Sequence, residues 1–380
     1  MSVDRAVRLI NEHRIVATPT MIVLDASGRE RRRAVGLVEP DEVLAFLAGH
    51  GDFLSMVDGT TQLPLGYRLR SSCFTHASYG PIDIDSQAPG NAIRQSLPPR
   101  TPSTLGRGQW EARWTETFTN IWSDAPGRYR LDYGTLESRL TLARGLTESV
   151  QLELEISDLT RTNSALDPIT NAYHDLFGLD DAGRDEHPSG DNEIFFAGMD
   201  GAPDLRDRTS GSVSRDLSLT LTQNLTCGTE HWPAVAYSLT ARYHTGGAGD
   251  LEGPRDWSFG GSISASRRIS DRWYVYGGLG YLFHGPQRWR GLELESEQLT
   301  GLLAVEWDYA AFRALTLQYL WSDATAVDRS PFDEPAHEFY LGWKRETTLN
   351  RVWEFGLIEN GIVADNSPDF GLHVGVRQRW

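Results

Sequence analysis

Charged side chains alternate with apolar ones in several segments, and these charged residues are the first candidates for a functional site. Glu153 and Glu155, for example, are separated by Leu154. A β-strand places alternate side chains on opposite faces, so such charges share one face while apolar residues occupy the other. On a membrane-spanning strand the charged face must point inward, because a charge in lipid costs several kcal/mol. The residues that we place on an inner face are Glu153, Glu155, Arg242, Glu306, Glu338 and Arg377.

Two roles are open for these charges. In an open lumen they would set the ion selectivity of a pore. In a closed lumen they would form a charge network that fills the space, and a barrel of this size allows either. A lumen packed with Tyr274, Tyr276, Tyr340 and Leu320 would favour a structural barrel, whereas a water-filled lumen would favour transport.

Residues suited to redox, metal or hydrolytic chemistry are sparse. The chain has two cysteines, Cys73 and Cys227, and neither has a second cysteine nearby, so no CxxC motif and no cysteine-based metal site is present. Whether the two form a disulfide is open. His174 and His373 could serve an outer-membrane hydrolase, but no compact nucleophile motif accompanies them. We therefore predict no enzyme activity, no cofactor and no metal, with a hydrolase as the less favoured alternative.

The elements that would position these residues are strands of period two from residue 109 onward. In the clearest segment Leu217, Leu219 and Leu221 alternate with hydroxyl residues. The segments reach about ten residues, as transmembrane strands require, and aromatic residues such as Trp257, Trp273 and Trp321 fall near their ends. We predict an all-β fold, an antiparallel transmembrane β-barrel of about twelve strands.

The chain ends on a strand whose apolar residues alternate and whose last residue is aromatic. This pattern resembles the C-terminal signal of outer-membrane barrels, which the barrel assembly machinery reads. The residues of this predicted insertion signal are Phe370, Leu372, Val374, Val376 and Trp380. The expected partners are therefore outer-membrane lipid, the barrel assembly machinery and an unidentified small solute.

One segment inside the barrel region has helical character. Asp167-Pro168 begins it and Gly178 ends it. We interpret it as a candidate plug that narrows the lumen, and the alternatives are a divalent-cation site with the carboxylates that follow it or a solvated excursion between strands. The candidate plug residues are Asp167, Tyr173, His174, Asp175 and Phe177.

The first 50 residues differ in type from the barrel. A helix over 4–13, strands over 20–24 and 30–35, and a helix from Pro40 resemble the second half of a thioredoxin fold, in which Pro19 would match the cis proline beside the active-site cysteines. The CxxC half of that fold is missing, so we expect no redox activity. The predicted domains are a thioredoxin-like fragment at 1–50, a linker and periplasmic or barrel-plugging lead-in at 51–108, and the barrel at 109–380.

Composition limits the location and the partners. The formal net charge of −16 argues against a nucleic-acid partner, because a phosphate-binding surface needs clustered positive charge. No run of about 18 apolar residues exists to form a transmembrane helix. Residues 1–30 lack the apolar core and cleavage site of a signal peptide, so for an outer-membrane protein we expect a truncated or misassigned N-terminus.

Several short motifs extend the barrel prediction to a family. Gly80-Pro81-Ile82, the run from Leu97 to Leu105 and Thr117-Phe118-Thr119-Asn120-Ile121-Trp122 resemble an uncharacterised proteobacterial family within the outer-membrane barrel superfamily, and Leu131-Asp132-Tyr133 and Tyr173–Leu179 fit it too. The resemblance covers residues 78–380 and implies a barrel without established site residues. We predict a passive channel or transporter for small solutes in a Gram-negative outer membrane, with a non-transporting structural or assembly barrel as the alternative.

Overall fold

A computed structural model describes most of the chain after residue 77. The described ranges are 78–178, 183–198, 204–229, 232–246, 255–270, 272–285, 287–289, 292–310, 312–348, 350–360 and 365–380, with the backbone of 20–24 and 30–35. The chain divides into two compact units, Met1–Leu69 and Arg70–Trp380.

In the first unit the structure describes two strands, β1 (Thr20–Leu24) and β2 (Glu30–Val35). They pair antiparallel, with Thr20 opposite Val35, and occupy the positions of the two predicted strands. The predicted helices and Pro19 lie outside the described residues. The thioredoxin-like interpretation therefore stays a prediction.

The second unit is built on a closed antiparallel barrel, and within the described residues twelve strands form its wall. Its closure is the pairing of the last strand with the first, in which Phe370 lies opposite Asn120 and Arg379 opposite Glu111. The all-β barrel of about twelve strands is thus confirmed. The wall strands are β3 (Trp110–Ala125), β4 (Tyr129–Gly145), β5 (Val150–Thr162), β8 (Gly211–Cys227), β9 (Ala234–His244), β10 (Asp256–Ser270), β11 (Trp273–Phe283), β14 (Glu297–Ala310), β15 (Arg313–Ser322), β16 (Ala336–Thr348), β17 (Arg351–Asn360) and β18 (Phe370–Arg379).

The period-two pattern of the sequence produces the two faces of this wall. On β9 the outward-facing Leu239 is 58% exposed, while the inward-facing Thr240 and Arg242 are buried. Leu217, Leu219 and Leu221 likewise point outward from β8. An apolar outside around a polar inside is the reverse of a water-soluble protein, in which a continuous apolar surface of this size is rare. It is the arrangement of a transmembrane barrel.

Aromatic side chains form belts at both ends of the wall. Near the tight turns Trp273 stacks on Trp307 with ring centroids 5.6 Å apart, and Trp343 Nε1 donates to the Tyr309 hydroxyl at 2.7 Å. Trp257 contacts Tyr243 towards the other end. Such belts lie at the two membrane interfaces of a barrel. In the described part of the chain no helix is long and apolar enough to cross a membrane.

The connections differ between the two ends of the barrel. At what we call the turn end, the strands are joined by 146–149, 228–233, 271–272, 311–312 and 349–350. The opposite loop end has one short turn, 126–128, and otherwise longer connections, which contain the remaining elements. These are α1 (Asp167–Phe177), β6 (Glu193–Phe196), β7 (Leu205–Asp207), β12 (Gln287–Trp289) and β13 (Leu292–Leu294).

Candidate functional site: the occupied lumen

The lumen is occupied by residues 79–105, which we call the lumenal loop. It enters at the turn end, where the Tyr79 N–H donates to Glu306 Oε1 at 3.0 Å. It reverses at the loop end, where the Gly90 N–H donates to Asn366 Oδ1 at 3.2 Å. It returns to the turn end, where the Leu105 N–H donates to Gln151 Oε1 at 3.0 Å. Two limbs therefore run through the lumen side by side before β3 begins.

The outgoing limb of the lumenal loop is amphipathic. Ile82 and Ile84 belong to one apolar cluster, while Asp83 and Asp85 face charged wall residues. This is the period-two alternation of an extended chain, which here separates two halves of the lumen. The apolar cluster also contains Tyr274, Tyr276, Leu302, Ala304, Leu320, Tyr340 and Ile358.

On the other side of this limb two wall arginines hold its carboxylates. Arg113 Nη1 lies 3.0 Å from Asp83 Oδ2, and Arg139 Nη1 lies 2.9 Å from Asp85 Oδ1. Arg139 Nη2 lies 3.3 Å from Asp83 Oδ1 as well. Arg100 of the returning limb pairs with Asp83 and, at 3.1 Å, with Glu155 Oε2 of the wall. These six residues form an ionic cluster that ties both limbs to β3, β4 and β5.

A second polar cluster lies below it around Glu354. Its carboxylate lies 3.2 Å from Lys344 Nζ, 3.2 Å from His373 Nε2 and 3.3 Å from Arg377 Nη2. It also accepts the Asp83 N–H at 2.9 Å. Lys344 in turn donates to the carbonyls of residues 80 and 81. Wall charges are thus neutralised by one another and by the backbone of the lumenal loop.

The returning limb lies against a glycine-lined part of the wall. A Cβ built on Gly280 would lie 1.9 Å from the Leu97 carbonyl oxygen, and one on Gly278 would lie 2.7 Å from Pro99. Both glycines face inward on β11, so the absence of a side chain is what admits the limb. On the adjoining wall Arg242 Nη1 donates to the Gln95 carbonyl at 2.7 Å.

The loop end is closed by a second apolar cluster, which we call the cap. It joins the tip of the lumenal loop, through Ile93, to inward residues of β3 and β4 and to the external connections. Beside it burial and the Arg94 guanidinium lower the pKa of His284 to about 3, so this imidazole is neutral where it meets Ser258 Oγ. The cap consists of Ile93, Ile121, Tyr129, Leu131, Tyr133, Ile194, Phe196, Leu292, Leu294, Ala326 and Phe332.

A small cavity remains between the two limbs. Its volume is about 30 Å³, and its lining includes Asp83, Pro99, Arg100, Arg113 and Arg377. This is the volume of about one water molecule. In this conformation the cavity has no room for a solute.

The structure places all six predicted lumen residues on the inner face of the wall. The Tyr79 N–H donates to Glu306 and the Gln87 N–H donates to Glu338. The others contact charged or polar groups in the lumen: Glu153 pairs with Arg113, Glu155 with Arg100, Arg242 with the Gln95 carbonyl, and Arg377 with Glu354. The six are therefore spread through the lumen rather than gathered in one site.

The predicted plug helix is present as α1, but it lies outside the wall. Asp167 accepts from Asn120 Nδ2 at 2.8 Å, and Tyr173 packs on Phe370 with centroids 5.1 Å apart. Asn120 and Phe370 occupy outward-facing positions of β3 and β18, so α1 packs on the outer surface at the loop end. His174 lies 3.8 Å from Asp369, whereas Asp175 and Phe177 are exposed. The segment that fills the lumen is the lumenal loop.

The residues of the predicted insertion signal follow the outer face of β18. Leu372, Val374 and Val376 point away from the lumen and Trp380 is exposed, while Phe370 is covered by α1. Cys227 is disulfide-bonded, and the other cysteine of the sequence, Cys73, lies outside the described residues.

Of the two histidines weighed for hydrolysis, His174 lies in α1 and His373 on β18. His373 joins Thr117 Oγ1, at 2.9 Å from Nδ1, to Glu354, and all three side chains are buried in the lumen wall. Among the described residues there is no group of three or more His, Cys, Asp or Glu side chains arranged to hold a metal ion. The carboxylates that follow the helical segment in the sequence include Asp180 and Asp181, and both lie outside the described ranges.

A family model for a protein of unknown function, DUF3187, matches residues 60–380. The chain belongs to the DUF3187 family. The match includes the whole lumenal loop and every wall strand of this DUF3187 barrel. No curated protein matches the chain.

Several solved structures are similar to this DUF3187 protein. The COG4313 outer membrane channel from Pseudomonas putida F1 has a TM-score of 0.49 at 13% identity, over 73% of this chain and 97% of that chain. The NanC porin has a TM-score of 0.41 at 9% identity, over 71% and 98%. The KdgM porin has a TM-score of 0.39 at 5% identity, over 70% and 98%.

Sequence reasoning missed the residues that fix the lumenal loop. Two signals point to them in retrospect. Ile82-Asp83-Ile84-Asp85 has the period of a strand although it lies in a segment rich in Gly and Pro. Gly278, Gly280 and Gly342 fall at inward positions of otherwise well-formed strands, which marks a close approach of another backbone.

Proposed function

We propose that this protein is an outer-membrane barrel through which small solutes pass when the lumenal loop leaves the lumen. The observation that carries the proposal is that the lumen is filled by a segment that is not part of the wall. Eight strands close around a lumen that side chains alone can fill. Twelve strands leave a wider lumen, and this chain closes it with a segment held by noncovalent contacts.

The chemistry of the inner wall supports passage. Once the lumenal loop has left, the wall exposes carboxylates, guanidinium groups and hydroxyls, which hydrate readily. The vacated space is two extended chains wide, about 10 Å when adjacent strands are spaced at about 4.8 Å and carry side chains. That width suits a small solute rather than a folded protein.

The orientation follows from the connections. Bacterial barrels place short turns in the periplasm and longer loops outside the cell. The lumenal loop would then enter from the periplasm and the cap would close the extracellular mouth. Leu372, Val374, Val376 and Trp380, at the outward face and end of β18, support recognition by the barrel assembly machinery.

A structural barrel is the second candidate, and one observation favours it. Ile82 and Ile84 pack tightly with Tyr274, Tyr276 and Tyr340, as in a permanent core. A lumen sealed by such a cluster would stabilise the outer membrane without conducting.

Planar-bilayer conductance separates these functions. The variant replaces residues 79–105 with a Gly-Ser sequence of equal length, and a second variant also replaces the hairpin region 284–296 with a Gly-Ser turn, because the cap closes the loop end. Wild-type protein should conduct rarely, whereas the first variant or the second should give stable steps. Heat-dependent migration on gels serves as the control for folding.

Folded protein that conducts in neither variant would exclude passage through the lumen and leave the structural barrel. Wild-type protein that conducts as well as the variants would contradict closure by the lumenal loop.

A further inference from the structure

We propose that the lumen wall contains a binding site for small carboxylates with an apolar body, which the segment Ile82–Asp85 occupies in the closed state. The inference rests on the proposed function and names the solute class. A bound carboxylate solute would compete with the lumenal loop for the same wall groups and so favour the open state.

The charged half of this site is centred on Arg139. Its guanidinium contacts Asp85 at 2.9 Å and Asp83 at 3.3 Å, and Glu155 lies farther away, with Oε2 4.0 Å from Nε. Glu137 of the same strand is a fourth carboxylate in its surroundings, so two of its four carboxylate neighbours belong to the lumenal loop. Arg113, by contrast, also pairs with Glu153 of the wall. When the loop withdraws, Arg139 loses two carboxylate partners, whereas Arg113 keeps Glu153. A carboxylate from another source would therefore be stabilised at Arg139.

The apolar half faces it across the outgoing limb. Ile82 and Ile84 lie in the cluster of Tyr274, Tyr276 and Tyr340, and the inward Gly342 leaves the space that Ile82 fills. When the limb leaves, this apolar wall becomes exposed to water. An aliphatic or aromatic group that covers it recovers the burial that the two isoleucines provided.

The segment itself defines the ligand chemistry. It presents a carboxylate to guanidinium groups and, one residue away on the opposite face, an aliphatic side chain to an apolar surface. A ligand with both features in one small molecule satisfies both halves. A small carboxylate without an apolar body satisfies only Arg139, and an alcohol of the same chain length satisfies only the tyrosine side.

Hexanoate is the probe, with acetate and 1-hexanol as the matched single-feature controls. The full chain is reconstituted in planar bilayers at moderate salt, because high salt screens the guanidinium–carboxylate attraction. In parallel Ser86, which is buried in the lumenal loop, is changed to cysteine, and its labelling by a soluble thiol reagent reports displacement of the loop. Hexanoate should increase both conductance and labelling, and neither control should do so at equal concentration.

Three variants test the residues. Asp85→Asn removes the nearer of the two competing carboxylates and should lower the hexanoate concentration needed for half-maximal labelling. Arg139→Gln should raise it about tenfold or more, the value of one charge-assisted hydrogen bond. Glu297→Gln on the outer rim is the control and should leave it unchanged.

The outcomes separate this inference from the proposed function. Labelling that increases with hexanoate while conductance stays at zero would support the site and contradict solute passage. Conductance of the Gly-Ser variant together with a wild-type protein that ignores hexanoate would overturn the site and leave passage intact. Equal responses to hexanoate and 1-hexanol, or unchanged responses in both Asp85→Asn and Arg139→Gln, would also overturn it.

Discussion

At the scale of residues, some side chains of the lumen wall contact both neighbouring wall charges and the lumenal loop, and Glu354 is the clearest case. Its carboxylate is 2% exposed and meets three basic side chains as well as the Asp83 N–H. Lys344, which is fully buried, has Glu354 as its nearest carboxylate partner in the described structure. A buried ion pair adds little net stability, but removal of one partner leaves an uncompensated charge.

Glu354→Gln should therefore destabilise the folded barrel by about 3–5 kcal/mol, the cost of breaking a buried ion pair. Denaturant titration of the protein folded in lipid vesicles measures this change. Glu297→Gln removes an exposed carboxylate that accepts the Tyr281 hydroxyl, and it should change stability by less than about 1 kcal/mol. Equal stability of the two variants would contradict the role of Glu354.

The sequence predicts the facing of these charged residues but not their partners. Period-two alternation predicts that the six named charges share the inner face, since a charge in lipid is costly, and in the structure these side chains lie on the inner side of their strands. Alternation does not give partners, however. Glu153 meets Arg113 from an adjoining part of the wall, while Glu306 and Glu338 bind the backbone of the lumenal loop, and both results depend on strand stagger and on the path of the loop.

At the scale of elements, the returning limb of the lumenal loop lies against a glycine-lined face of β11. Gly280 presents bare backbone to Leu97, and Gly278 presents bare backbone to Pro99. Gly277 lies on the same strand and faces outward, where an added Cβ would meet the Leu303 side chain at 3.3 Å and, at an ordinary contact distance of 3.7 Å, the Leu302 carbonyl oxygen. The two faces of one strand therefore provide a matched pair of substitutions.

Gly280→Ala should displace the returning limb, because its methyl group would overlap the Leu97 carbonyl oxygen. The expected result is a several-fold increase in conductance and in labelling of a Ser86→Cys reporter. Gly277→Ala should leave both near the wild-type values. Comparable behaviour of the two variants would show that the returning limb does not depend on the glycine-lined wall.

For the helix α1, the sequence predicts the element but not its position. The helix α1 was predicted from Asp167-Pro168 and Gly178, and the structure has it at Asp167–Phe177. Its position outside the wall was not predictable, because an amphipathic helix at the mouth of a barrel finds polar and apolar contacts on either side. The contacts of α1 with Asn120 and Phe370 place it outside the wall, and this conclusion requires knowing that both residues face outward.

At the scale of the whole molecule, the outer surface determines where the barrel resides. Leu239 lies in the middle of β9 and Ile269 near the turn end of β10, and each is 58% exposed. Equal exposure at different depths provides a test of membrane embedding that is independent of lumen contents.

Leu239→Arg should destabilise the barrel in lipid vesicles by about 2–4 kcal/mol, the cost of arginine near the bilayer midplane, whereas Ile269→Arg should cost about 0–1 kcal/mol because it lies near an interface. Denaturant titration in vesicles measures both. Equal costs for the two substitutions would contradict the proposed depth of the wall in the membrane.

The sequence by itself determined the barrel, its approximate strand number and the facing of its residues. These are consequences of local alternation, and in lipid every backbone group must find a partner, which strands achieve only by closing on themselves. Only the tertiary structure decided what fills the lumen. The contacts of the lumenal loop join residues far apart in the sequence, in some cases more than 200 positions apart, as for Tyr79 and Glu306. They depend on the diameter and stagger of the closed wall rather than on any local pattern.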